Sequence, residues 1–206
     1  MAKANWVLVN PDHGSGNGSV SVTAGSNHTG RNARTSSITF SAVNCEDVSV
    51  PVSQAGKPEF VTIESTKSVA KGGVQTLTIT GTSNSSKLTF SLGSGSLNLT
   101  LPASYTAHSV STNNGAAISG DPGAAQEYAF SIQFSDIPEN VTIDEMSKQL
   151  IVTDNAGNTA TCTITQAAGD PTLSVSPATL QLDWNAATEG TSATASVTSN
   201  TNWTVA

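Results

Sequence analysis

Ser199-Asn200-Thr201-Asn202-Trp203-Thr204-Val205-Ala206, the last eight residues of the chain, decide how the rest is read. Trp203 and Val205 alternate with polar neighbours, the period of two of a half-buried strand. No later segment offers this strand a partner. The first residues have the complementary defect. Met1-Ala2-Lys3-Ala4-Asn5-Trp6-Val7-Leu8-Val9 enters a strand with no hairpin before it. Read tail before head, Asn-Thr-Asn-Trp-Thr-Val-Ala runs into Ala-Asn-Trp-Val-Leu-Val-Asn-Pro as one continuous β sequence. The expectation is that the two ends are halves of one β-domain, cut open and wrapped around a middle domain.

The 206 residues suffice for one or two domains with a buried core. Charged residues make up 11%, against about 25% in ordinary soluble proteins. Ser, Thr, Asn and Gly take their place, as in all-β modules with many turns. The net charge of -7, with eight scattered basic residues, argues against sequence-independent nucleic-acid binding, which needs clustered Lys and Arg. No apolar run is long enough to cross a bilayer as a helix, so no membrane partner is expected. Lys3 is followed by strand-like sequence and not by the apolar core of a signal peptide, which predicts synthesis and retention in a cytoplasm. Cys45 and Cys162 fall in different expected units and read as free thiols.

Taken in order, residues 1–57 read as short strands at Trp6–Val9, Val20–Ala24, Ile38–Phe40 and Val48–Val52. Pro51 cannot donate to a ladder and marks an edge or a bulge. The run from Pro11 to Gly18 reads as a turn, because it precedes a strand and not the helix a phosphate cradle requires. In residues 58–170, alternation marks strands at Val61–Ile63, Leu77–Ile79, Leu88–Phe90, Leu97–Leu101 and, most strongly, Tyr128–Phe134. Residues 102–127 lack a period and read as a long loop, and Thr142–Met146 as one helical turn at a corner. Leu150–Thr153 and Thr161–Ile164 flank the turn Asp154-Asn155-Ala156-Gly157-Asn158, a final hairpin. Residues 171–206 begin again with Leu173–Pro177, Leu180–Trp184 and Ala193–Val197.

An internal repeat supports this division. Val50-Pro51-Val52-Ser53-Gln54-Ala55-Gly56-Lys57-Pro58 matches Cys162-Thr163-Ile164-Thr165-Gln166-Ala167-Ala168-Gly169-Asp170-Pro171, and Ser83-Asn84 is echoed by Ser199-Asn200. The predicted class is all-β, with immunoglobulin-like sandwiches. One is complete in 58–170, and one is split between 171–206 and 1–57, the tail completing the head of the same chain or of a neighbouring one; the joined length is close to the ~100 residues of such a domain.

In the joined order the residues resemble the BACON module, an immunoglobulin-like domain common in Bacteroidetes surface proteins and in phages of those hosts. The matching elements are Leu173-Ser174-Val175-Ser176-Pro177, Ser199-Asn200 with Trp203, and Asn5-Trp6 with Pro11 and Gly14-Ser15-Gly16-Asn17. Val20-Ser21-Val22, Asn27-His28-Thr29-Gly30-Arg31 with Arg34, and Val50-x-Val52-Ser53-Gln54-Ala55-Gly56 complete them. The order departs from the family, because this chain is split between the two tryptophans. The resemblance extends to auxiliary capsid, or head-decoration, proteins of Bacteroides-infecting crAss-like tailed phages. It implies a virion location and as partners the major capsid protein, copies of this chain, or other head or fibre proteins. The bacterial relatives imply the other reading, a module that binds host or mucosal glycans.

Trp6, Leu8, Trp203 and Val205 are the candidate core and assembly residues, since their strand contexts predict burial in a sandwich core. Trp184 is the candidate glycan contact, as exposed aromatics stack on sugar rings. His13, His28 and His108 lie far apart in loop-like sequence and form no metal-ligand pattern, so no metal or cofactor is expected. No nucleophile elbow, Cys–His pair or paired carboxylates point to catalysis.

Overall fold

The computed structural model describes residues 3–182 and 192–206. Among the described residues the structure is all-β, apart from one short 3-10 turn at Pro122–Ala124. Fifteen strands are described: β1 (Val7–Asn10), β2 (Ser21–Ala24), β3 (Arg34–Phe40), β4 (Val48–Gln54), β5 (Val61–Ile63), β6 (Thr66–Val69), β7 (Val74–Ser83) and β8 (Leu88–Leu92). They continue with β9 (Ser104–Ala107), β10 (Val110–Asn113), β11 (Tyr128–Ile137), β12 (Met146–Asp154), β13 (Thr159–Gln166), β14 (Leu173–Ser176) and β15 (Ser196–Ser199).

Strands β5 to β13 form a β-sandwich. One sheet runs β10-β9-β11-β7-β5 and the other β6-β13-β12-β8, a two-sheet, immunoglobulin-like layout in which the consecutive strands β5 and β6 lie in different sheets. All its pairings are antiparallel except β6 with β13, which run parallel from Thr66 opposite Thr163 to Val69 opposite Gln166. Alternation builds the core. Tyr128, Phe130, Ile132 and Phe134 of β11 point inward, as do Leu77 and Ile79 of β7, Leu150 and Val152 of β12, and Cys162 and Ile164 of β13. Phe90 packs against Tyr105 with the ring planes tilted by 54° and centroids 4.9 Å apart, and meets Phe130 edge-on at 5.8 Å. Each such buried side chain contributes about 1.5–3 kcal/mol.

Three local expectations are corrected. Leu97–Leu101 is not a strand. Gly95 has φ 135°, and Leu97 N–H donates to the Ser147 carbonyl, so the chain turns off the sheet edge there while Leu97 still fills the core. Residues 102–127 are not structureless, because they contain the β9–β10 hairpin and the 3-10 turn. Thr142–Met146 makes no helical turn. The buried Asn140 side chain accepts from the Thr142 N–H and hydroxyl and donates to the Asp144 carbonyl, which replaces helical bonding with a side-chain-held bend.

Outside the sandwich, β1–β2 and β3–β4 are two separate antiparallel hairpins in the head, and β14–β15 is a third in the tail. No strand of the described tail pairs with a strand of the described head.

Candidate functional site

In the head, an unfilled gap of about 590 Å3 opens between the Pro11–Ser19 loop after β1 and the Ile38–Phe40 end of β3, with Val9 and Val20 also on its wall. Val7 and Ile38 are the buried apolar side chains of the described head. Two hairpins cannot bury more, since a hairpin needs further strands to close a core. The gap is therefore an open sandwich face, and it is the candidate site.

Register explains what is missing. In the sandwich, Leu150 of β12 stands opposite Cys162 of β13, and Met146 opposite Gln166. In the head, Ile38 of β3 stands opposite Val50 of β4, and Arg34 opposite Gln54. A constant offset of 112 residues carries one hairpin onto the other (Ile38 to Leu150, Val50 to Cys162). The same offset carries the sandwich's first strand onto the tail. Val61, opposite Ser83, maps to Leu173, opposite Ser199; the first strands keep the offset of 112, and their partners are displaced by 116. Equivalent positions differ sharply in burial. Val152 and Cys162 are fully buried, whereas Phe40 and Val50 are 43% and 40% exposed; Val61 is 8% exposed and Leu173 63%.

The joints between successive units are also repeated. Asn84 is fully buried. Its Oδ1 accepts from Phe60 N–H, and its Nδ2 donates to the carbonyls of Lys57 and Pro58 in the linker and of Thr29 in the head. Ser83 Oγ donates to the Phe60 carbonyl and accepts from Ser85 N–H. In the tail, Asn200 Oδ1 accepts from Thr172 N–H, and its Nδ2 donates to Asp170 in the linker and Val141 in the sandwich. Ser199 Oγ donates to the Thr172 carbonyl and accepts from Thr201 N–H. A Cβ on Gly56 would collide with the Arg31 carbonyl and one on Gly169 with the Asn140 carbonyl, so both joints require glycine for close approach.

Charge closes the first joint further. Arg31, largely buried, is forked onto Asp121, with Nη1 at 2.6 Å from Oδ1, and lies 3.7 Å from Glu59. The hydrogen bond to Asp121 holds the guanidinium in its charged form, above its ordinary pKa. Burial pushes the Tyr128 phenol up, and its hydroxyl donates to the Ser85 carbonyl. At the second joint Lys71 pairs with Asp170.

The candidate residues fall as follows. Trp6 is half-buried, with the Arg34 guanidinium 4.6 Å from its ring centroid. Leu8 points away from the buried Val7 and is 50% exposed; Trp203 and Val205 are 51% and 84% exposed. The burial expected of these three does not occur within one chain. β15 ends at Ser199, and residues 202–206 join no ladder. Trp184 lies outside the described residues. Arg34 and Gln54, which the sequence offered only as pattern elements, hold the loop before β3 through Ser26.

The other polar groups have local partners. The Asp154 carboxylate accepts from the N–H groups of Ala156 and Asn158 and from the Asn158 amide, as a hairpin turn demands. Among the described residues no three His, Cys, Asp or Glu side chains converge as metal ligands.

A family model described as "BACON: Putative binding domain, N-terminal" matches residues 1–55. No curated protein matches the chain.

Proposed function

We propose that this is a non-catalytic structural protein that assembles through immunoglobulin-like units, with the open head face as its binding surface. The carrying observation is that positions buried in the middle sandwich are exposed at equivalent register in head and tail. Exposed strand edges and apolar faces of this kind bind strands or are a liability. The match of the head to a family of binding domains is consistent with a binding role for this face. Its proposed setting is the surface of a phage capsid, as a decoration or cement contacting the major capsid protein and copies of itself. That setting rests on sequence resemblance alone.

Light scattering after size exclusion tests the assembly role. The expected outcome is a mass that climbs with concentration from the chain's 20.9 kDa; a mass fixed at that value at all concentrations overturns it. The second reading, glycan binding, is favoured by the half-exposed indole of Trp203. On a glycan array it predicts binding that Trp203→Ala or Trp184→Ala abolishes.

A further inference from the structure

We propose that the occupant of the open head face is the 171–206 segment of a second copy of this chain, seated so that Trp203 and Val205 form a strand antiparallel to β3. This rests on the assembly reading above and specifies its contact.

The middle sandwich supplies the template. There β8 lies beside β12, with Phe90 opposite Val152 and Leu88 opposite Asp154. The offset of 112 residues makes β3 the counterpart of β12 and Phe40 that of Val152. In the tail, Ser199-Asn200 fixes the start of the counterpart of β8, as Ser83-Asn84 does in the sandwich, by the same set of hydrogen bonds. Leu88 and Phe90 are buried two residues apart. After a connector one residue shorter, Trp203 and Val205 repeat that apolar spacing. Val205 therefore falls opposite Phe40, and the indole enters the gap between the hairpins. β14 and β15 supply the counterparts of β5 and β7, and cover the face on which Val50 is exposed.

The donor belongs to another copy because of reach. The head is joined to the sandwich beside Ser83 and Tyr128, where β11 starts, through Arg31 and Thr29. The tail is joined beside Val141 and Lys71, past Ile137 at the other end of β11. The ten residues of β11 span about 30 Å. Val205 is five residues beyond the anchored Asn200 and lies at most about 18 Å from it. Phe40 is farther still, at the end of β3 remote from the Arg34–Gln54 pair near the joint. Charge does not oppose the contact. Residues 171–206 carry Asp183 and Glu189 and no Lys or Arg, whereas the head carries Lys3, Arg31, Arg34 and Lys57 against Asp12, Glu46 and Asp47.

Two surface variants of the full chain test this, each checked for retained fold by circular dichroism. Phe40→Asp spoils the acceptor and leaves the donor; Val205→Asp spoils the donor and leaves the acceptor. Both side chains are exposed in the single chain, so neither change removes a core contact. Each buries an unpaired charge in the joined strands, which weakens association by about a hundredfold or more. The expected result is that each variant alone stays at the mass of one chain, while an equimolar mixture gives a particle of two chains that grows no further. Concentration-dependent growth by either variant alone overturns the proposed contact and leaves assembly through another surface standing. A mixture that remains at one chain mass, while the unaltered chain grows, also overturns it. An unaltered chain that never grows overturns the assembly role itself.

Discussion

Two asparagines carry the same task at unequal depth. Asn84 is fully enclosed and makes four hydrogen bonds that fasten head, linker and sandwich. Replacing it with alanine leaves the Phe60 N–H and the linker carbonyls unpaired, each a cost of about 1–3 kcal/mol when buried. Asn84→Ala is expected to lower unfolding free energy by about 3 kcal/mol in urea titration. Asn200→Ala, at a half-buried site, is expected to cost about 1 kcal/mol. Glu64 offers a test by pH. Hydrogen bonds from Lys67 and then from the hydroxyl and N–H of Thr80 hold its carboxyl down to about 2 from the usual 4.5. A depressed acid stabilises the fold above its unfolded pKa and loses that contribution as pH falls through its folded one. Its carboxyl resonance should thus titrate near pH 2, with stability declining from about pH 4.5 downward. The effect is modest, because the group is near solvent. A midpoint near 4.5 would show that these contacts do not hold the carboxylate in solution.

Among the elements, strands with strong apolar alternation were legible in the sequence. Tyr128–Phe134, Leu77–Ile79 and the Leu150/Ile164 hairpin all stand where periodicity put them. The β9–β10 hairpin was hidden by its composition. Its short strands, Ser-Tyr-Thr-Ala and Val-Ser-Thr-Asn, are mostly small and polar, and its turn uses His108 and Ser109 at positive φ in place of the usual Asn-Gly. β6 was hidden because a polar four-residue strand held by a parallel neighbour leaves no alternation to read. Conversely, Leu97–Leu101 shows alternation without a ladder, because periodicity reports which side chains face inward and not whether the backbone has a partner. The repeated Gln-Ala segments, each running into a glycine, announced the joints, but the sequence could not show that Gly56 and Gly169 are pressed against carbonyls. Gly56→Ala is therefore expected to spring the first joint open, read as faster cleavage of the 55–58 linker in limited proteolysis. Cleavage at an unchanged rate would mean that the head is not held there.

For the whole molecule, the enclosed apolar cluster lies between Val61 and Ile164, so stability is unevenly distributed. Hydrogen exchange in dilute solution should find β7, β11 and β12 slowest, and β1–β4 and β14–β15 faster by about a hundredfold or more, because local opening follows buried contacts. Raising the concentration should slow the terminal hairpins alone if they are completed by another copy. Uniform protection across all fifteen strands in the dilute chain would contradict this distribution. The exposure of Trp203 and Leu8, where strand alternation predicts burial, emerged only once each hairpin was seen to stand apart.

The parallel β6–β13 pair sets how the sandwich answers a pull. The linker from the head leads into β5 and β6, and β13 leads out to the tail, so tension drawn between head and tail drags β6 and β13 in opposite directions along their shared ladder. Their bonds lie across the load and must give way together, not one after another. The Gln166 amide on the Ala70, Lys71 and Pro138 carbonyls and the Lys71–Asp170 pair extend the same seam beyond the last rung. Under stretching, this seam makes the sandwich the link that yields last.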